Sequence, residues 1–278
     1  MSQPFFKMTG SGNDFVFIDG RDGGVEPWTP ERIRVLCDRR TGIGADGLVV
    51  LTPEGSGGAR MVYFNADGSR AGMCGNAALC STRLAARLGF SDPAGMDLQT
   101  DSGLLRTRCV GPGWAAELRL PDFRLPEPMD LALLEREQWM DFVTVGVPHL
   151  IVLVEDLAQA NVTGRGESLR RDRAFEPHGC NVNFVGRAVA GSDPVWQVRT
   201  YERGVEAETL ACGTGTVGTA FALARRGLDR LPVRIRSWGG NVFSVAGRVE
   251  TDGDGGVGWA REPWLCGEGR LVYEGRLV

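Results

Sequence analysis

Apolar and polar positions alternate in two short runs, Met61-Val-Tyr-Phe-Asn65 and Val198-Arg-Thr-Tyr-Glu202, in the manner of half-buried strands. The first run ends nine residues before Cys74 and the second ten residues before Cys212. Each cysteine opens a segment of small and apolar residues, Cys74–Gly89 and Cys212–Gly227, with arginines near the end and a glycine where a helix C-cap belongs. Both segments predict helices. Upstream, Asp14-Phe-Val-Phe-Ile18 and Leu150-Ile-Val-Leu-Val154 are matching apolar strands, the first behind Asn13 and the second behind His149. The pattern is written twice, and it predicts an α+β fold of two similar domains. Each domain is expected to be a set of short, mostly antiparallel strands wrapped around a central helix. The three prolines of Leu120–Pro128 suit a linker. The first domain is therefore expected over 1–122, with 268–278 returning to it, and the second over 123–267.

Composition narrows the function classes. A net charge of -4 is small and of the wrong sign for nucleic acid. No apolar run is long enough to span a bilayer, and the first residues do not read as a signal peptide, so a cytoplasmic protein is expected. The 40 glycines, spread along the chain, predict many tight turns. Seven cysteines in no framework spacing argue against structural disulfides, and with two histidines and no Cys-x-x-Cys a metal site is not expected. Among 31 basic residues Lys7 is the single lysine. A pyridoxal Schiff base needs a lysine, so carbanion chemistry here is expected to proceed with no cofactor.

The two helix starts then become the candidate chemistry. Inverting an α-carbon requires a base on one face and an acid on the other, and a thiolate with a thiol provides both. A cysteine at a helix N-terminus is expected to have its pKa lowered by the dipole and free amides. The amides of Gly75, Asn76, Gly213 and Thr214 can hold a carboxylate and take up charge developing on it. A lone Cys-Gly before a helix is more often structural; the duplication in matched context is what favours Cys74 and Cys212 as catalytic residues.

Met73-Cys-Gly-Asn76 behind Asn65-Ala-Asp-Gly68, and Tyr201-Glu-Arg-Gly204 with Glu208-Thr-Leu-Ala-Cys-Gly-Thr-Gly215, resemble the two active-site motifs of the diaminopimelate epimerases. Lys7-Met-Thr-Gly-Ser-Gly-Asn-Asp-Phe15 and Arg40-Thr-Gly-Ile-Gly-Ala-Asp-Gly47 are similar to that family as well, so the resemblance covers nearly the whole chain. It implies two domains related by pseudo-two-fold symmetry, a homodimer, and interconversion of LL- and meso-diaminopimelate in lysine and peptidoglycan synthesis without pyridoxal phosphate. It also implies roles: Cys74 and Cys212 as acid/base thiols, His149 beside Cys74 and Glu202 beside Cys212. Asn13, Asn65, Asn181 and Arg203 would hold the substrate's polar groups, and Asn76 and Thr214, with Gly75 and Gly213, would cradle the reacting carboxylate.

Departures bear on specificity. Gly146-Val-Pro-His149 has Val147 where the family has asparagine; one hydrogen bond to a charged group is worth ~1.5–3 kcal/mol, and a backbone amide or Asn183 is expected to offset it. Cys74-Gly-Asn-Ala-Ala-Leu-Cys80 differs from the commoner Cys-Gly-Asn-Gly-Ala-Arg-Cys, and Gly204–Glu208 carries one residue more than the commonest form. A racemase of the same architecture acting on another amino acid stays open. So do a thiol hydrolase or acyltransferase pairing Cys74 with His149, and a non-catalytic protein whose two cysteines close to a disulfide.

Overall fold

The computed structural model describes residues 3–188, 193, 196–252 and 257–277. The chain divides into two units, one of Met1–Arg119 with Cys266–Val278 and the other of Leu120–Leu265.

In the first unit, Pro4–Gly10 turns through Ser11 and Gly12, both at positive φ, and pairs antiparallel with Asn13–Asp19. A crossover through helix α1 (Pro30–Cys37) brings Gly47–Glu54 parallel to Asn13–Asp19, and a hairpin returns as Gly58–Asn65. Helix α2 (Gly75–Arg87) then carries the chain to Met96–Thr100, parallel to Gly58–Asn65, followed by two more antiparallel strands, Gly103–Cys109 and Ala115–Arg119. Arg270–Arg276 pairs with the free edge of Pro4–Gly10.

The second unit repeats this order. Glu137–Val145 turns at Gly146 into Val147–Val154; α3 (Val162–Arg170) leads to the parallel strand Asn181–Arg187, then antiparallel Trp196–Glu202. Helix α4 (Gly213–Arg225) leads to Val233–Ser237, parallel to Trp196–Glu202, and on to antiparallel Val242–Glu250. The α+β class and the duplicated helix-wrapped pattern are as the sequence predicts.

Each sheet is covered on both faces, which explains strands more apolar than simple alternation. Phe15, Phe17, Val49 and Leu51 pack in the core that holds α2, while Val16, Ile18, Leu48 and Val50 pack with Trp28 and Ile33 on the α1 side. Likewise Ile151 and Leu153 share a core with α4, and Leu150, Val152 and Val154 with α3. Met61–Phe64, expected to be half-buried, is therefore buried at every position. The central helices are buried all round. Polar residues survive inside them because Ser81, Thr82, Thr216 and Thr219 each donate a hydroxyl at 2.8 Å to the carbonyl four residues back. Both helices end on a left-handed glycine, Gly89 at φ 72° and Gly227 at φ 68°.

Leu120–Pro128 is not a free linker. It forms two short strands, Phe123–Arg124 and Glu127–Pro128, and Phe123 and Leu125 enter the core around α4. Three prolines are compatible with this because the pairing is brief and at an edge.

Candidate active site

Cys74 and Cys212 are the N-cap residues of α2 and α4, with extended backbones at φ -136°, ψ 121° and φ -128°, ψ 108°. Neither side chain caps its helix, so the first-turn amides of Gly75 and Asn76, and of Gly213 and Thr214, face outward from the helix start. The reading of both cysteines as helix openers holds in the geometry.

In the first unit Cys74 is half-buried. Asn76 donates from Nδ2 to Asn13 Oδ1 at 2.7 Å, and Asn13 Nδ2 donates to Asp46 Oδ2 at 2.9 Å. Asp46 is in turn held by Arg39 at 2.8 Å. Asp14, next to Asn13, bonds Arg39 and Lys7, whose ammonium also reaches the Gly44 carbonyl. Burial works upward on the Asp14 carboxyl, but hydrogen bonds and charge from Arg39 and Lys7 outweigh it and bring the group down to about 2. The only lysine is thus a structural cation. Asn65 ends its strand and is turned into the 65–69 loop, its Nδ2 donating to Ser69 Oγ at 3.0 Å, away from the Asn13–Asn76 pair.

In the second unit neutral hydrogen-bonded side chains stand next to the helix start, with Glu202 and Arg203 as the charged groups acting on them. Cys212 is only 8% exposed, and the expectation of a lowered pKa fails there. Burial, then the charge of Glu202, pushes the thiol up to about 11, against the opposing pull of the nearby Gly215 and Thr214 amides and the Thr214 hydroxyl. Amides and dipole favour the thiolate, but desolvation costs more. Glu202, at the end of its strand, is itself raised by burial, with the Thr209 hydroxyl offsetting part of it. His149 is fully buried, and burial, then Arg203, drives its pKa down to about 3. Its Nε2 lies 3.0 Å from Thr214 Oγ1, which lies 3.7 Å from Cys212 Sγ. Asn181 accepts at Oδ1 from the Arg203 amide at 2.8 Å, and the Arg203 guanidinium donates to the His178 and Gly179 carbonyls.

Asn183 does not fill the gap that Val147 leaves. It is wholly buried, and both its amide hydrogens are engaged, by His149 and by the Leu150 carbonyl, each at 3.2 Å. Tyr63, buried on the strand that ends at Asn65, has its phenol raised by burial and then by the charge of Cys74. Among the described residues no group of three or more His, Cys, Asp or Glu gathers as a metal site, and no helix is long and apolar enough to cross a membrane.

The diaminopimelate epimerase family model matches residues 5–115 and again 142–252, once for each cysteine motif. The diaminopimelate epimerase of Gemmatimonas aurantiaca is 44% identical over 277 residues, covering 99% of each chain. The chain belongs to the diaminopimelate epimerase family. A second member of that family, from Aquifex aeolicus, is 36% identical over 285 residues, covering 98% of this chain and 97% of its own. Being an epimerase family, it makes the chain an isomerase, as the paired cysteines implied. Solved structures at low identity share the fold: a PhzF-family phenazine biosynthesis protein of Bacillus anthracis (TM-score 0.72, 14% identical, 100% and 99% of the two chains) and a probable proline racemase of Agrobacterium radiobacter K84 (TM-score 0.64, 19% identical, 99% and 93%).

Proposed function

We propose that this diaminopimelate epimerase family member interconverts LL- and meso-2,6-diaminopimelate, with Cys74 and Cys212 acting on opposite faces of one α-carbon. The observation that carries the reading is the recurrence, in both units, of a cysteine N-cap on a largely buried helix. In one direction the Cys74 thiolate takes the α-proton, leaving the electron pair on carbon, and the Cys212 thiol delivers its proton to the opposite face. In the return direction the roles exchange. Two side chains thus supply both proton transfers, and the chemistry asks for no cofactor. Cys212, held as a thiol by burial, suits the donor role.

The first-turn amides with Asn76 and Thr214 hold the reacting carboxylate. Asn13, Asn65, Asn181 and the Arg203 fork serve the remaining polar groups, and Glu202 and His149 tune the thiols. The same reading carries a cytoplasmic enzyme and a homodimer; light scattering on the purified protein tests the latter. The deciding experiment is reduced enzyme with LL-diaminopimelate in D₂O, without added pyridoxal phosphate, followed by NMR. Deuterium entering the α-position with inversion supports the proposal. Inert diaminopimelate beside rapid exchange into a monocarboxylic amino acid would instead favour the racemase reading that Val147 raises.

A further inference from the structure

We propose that Asn183, braced by Thr200, is a positioning residue: it holds His149 as the Nε2–H tautomer, so that the Thr214 hydroxyl donates to Cys212 Sγ. This rests on the reading of Cys212 as an acid/base thiol.

The direction of every bond in the chain follows from its far end. The Leu150 carbonyl can only accept, so the Asn183 atom 3.2 Å away is the amide nitrogen. That nitrogen's second hydrogen meets His149 Nδ1 at 3.2 Å, so Nδ1 is bare and accepts. Asn183 Oδ1, on the other side, then accepts from the Thr200 hydroxyl at 3.0 Å, which leaves the amide oxygen partnered as well. A neutral imidazole with a bare Nδ1 carries its proton on Nε2, and Nε2 donates to Thr214 Oγ1 at 3.0 Å. The Thr214 hydrogen is left for Cys212 Sγ at 3.7 Å. Asn183, His149 and Thr200 are all buried, so no water competes for the bonds among them.

Gly215 completes the device. A β-carbon there would overlap Asn183 Oδ1, so the helix start is glycine where the amide presses against it. When the Cys212 thiol has given up its proton, the thiolate finds a hydroxyl donor already aimed at it, with no reorientation needed.

The test is the imidazole nitrogen spectrum of the full-length protein labelled with ¹⁵N-histidine at pH 7. Only two histidines contribute, and His178→Gln assigns them. A bare Nδ1 and protonated Nε2 at His149 are expected; a protonated Nδ1 in the wild type overturns the proposal outright. In Asn183→Asp the carboxylate only accepts, so Nδ1 should gain a proton, and a folded variant with Nδ1 still bare also overturns it. In turnover, Thr200→Val should lower kcat on the order of tenfold with KM held within about twofold, and Thr200→Ser should restore it. A change in KM alone, or none, counts against the relay. If the enzyme does not turn over diaminopimelate, the substrate reading fails while the spectrum still decides the tautomer.

Discussion

The two helix starts share an extended cap, φ -136° and ψ 121° at Cys74 against φ -128° and ψ 108° at Cys212, yet their surroundings differ in kind. Behind α2 stands an ionic set, Asp46, Arg39, Asp14 and Lys7, reached through Asn13. Behind α4 stands a hydrogen-bonded set of uncharged side chains, His149, Asn183 and Thr200, reached through Thr214, while the Glu202 carboxylate acts on Cys212 directly. Cys74 is half-buried and Cys212 almost fully so. Duplication preserved what positions a thiol, namely strand, cap and buried helix. It did not preserve what sets the proton affinity around it. A two-base reaction uses both facts, because the thiols need matching positions and, at any moment, opposite protonation states.

The largest effect expected is from removing either thiol. Cys74→Ala and Cys212→Ala should each lower epimerisation by at least ~10³-fold, in the upper part of the range for acid/base catalysis, read by deuterium incorporation and inversion. A variant lacking one cysteine that still inverts the centre would break the comparison at its root.

Next is the exchange of one equivalent pair. Gly215 in α4 corresponds to Ala77 in α2. Gly215→Ala should cost about 1–3 kcal/mol by overpacking against Asn183, whereas Ala77→Gly should cost about 1 kcal/mol through helix propensity. Urea midpoints measure both, and a Gly215→Ala variant as stable as the wild type would mean that the α4 start is not crowded.

A pH effect should come from the neutral side. The folded pKa of His149, about 3, lies below its ordinary 6.5, so between these values the unfolded chain binds more protons. Stability is then full above about pH 6.5 and is lost as pH falls toward 3, by a few kcal/mol in order of magnitude. Urea melts from pH 7 to 4 should show the decline, and His149→Gln should flatten it.

The smallest effect concerns labelling. With Cys212 buried and raised to about 11, iodoacetamide at pH 8 should modify Cys74 first, by peptide mass mapping. Preferential labelling at Cys212 would reverse the assignment of which site is the more accessible.

Much of this frame was legible before the structure. Cys74 and Cys212 as helix openers, Gly89 and Gly227 as stops and the repeated strands follow from local rules of capping and periodicity. What was not legible depends on burial by distant segments. The helix dipole argued for an acidic Cys212, but the covering around it reverses the sign. The prolines of Leu120–Pro128 argued for a linker, but Phe123 and Leu125 had apolar surface to bury. Asn183 sits mid-strand between Val182 and Phe184, and nothing local distinguishes an amide locked to an imidazole from one facing a substrate.

The strand Arg270–Arg276 completes the sheet begun by Pro4–Gly10, and Gly269 fits directly against the backbone of α2 at Leu79 and Cys80. The second unit is contiguous from Leu120 to Leu265, whereas the first joins Met1–Arg119 to Cys266–Val278. The cover over α2 therefore depends on contacts between residues nearly two hundred positions apart, and closing that loop costs entropy the second unit does not bear. The Cys74 side of the enzyme is the one whose framework a cut in the intervening chain would loosen.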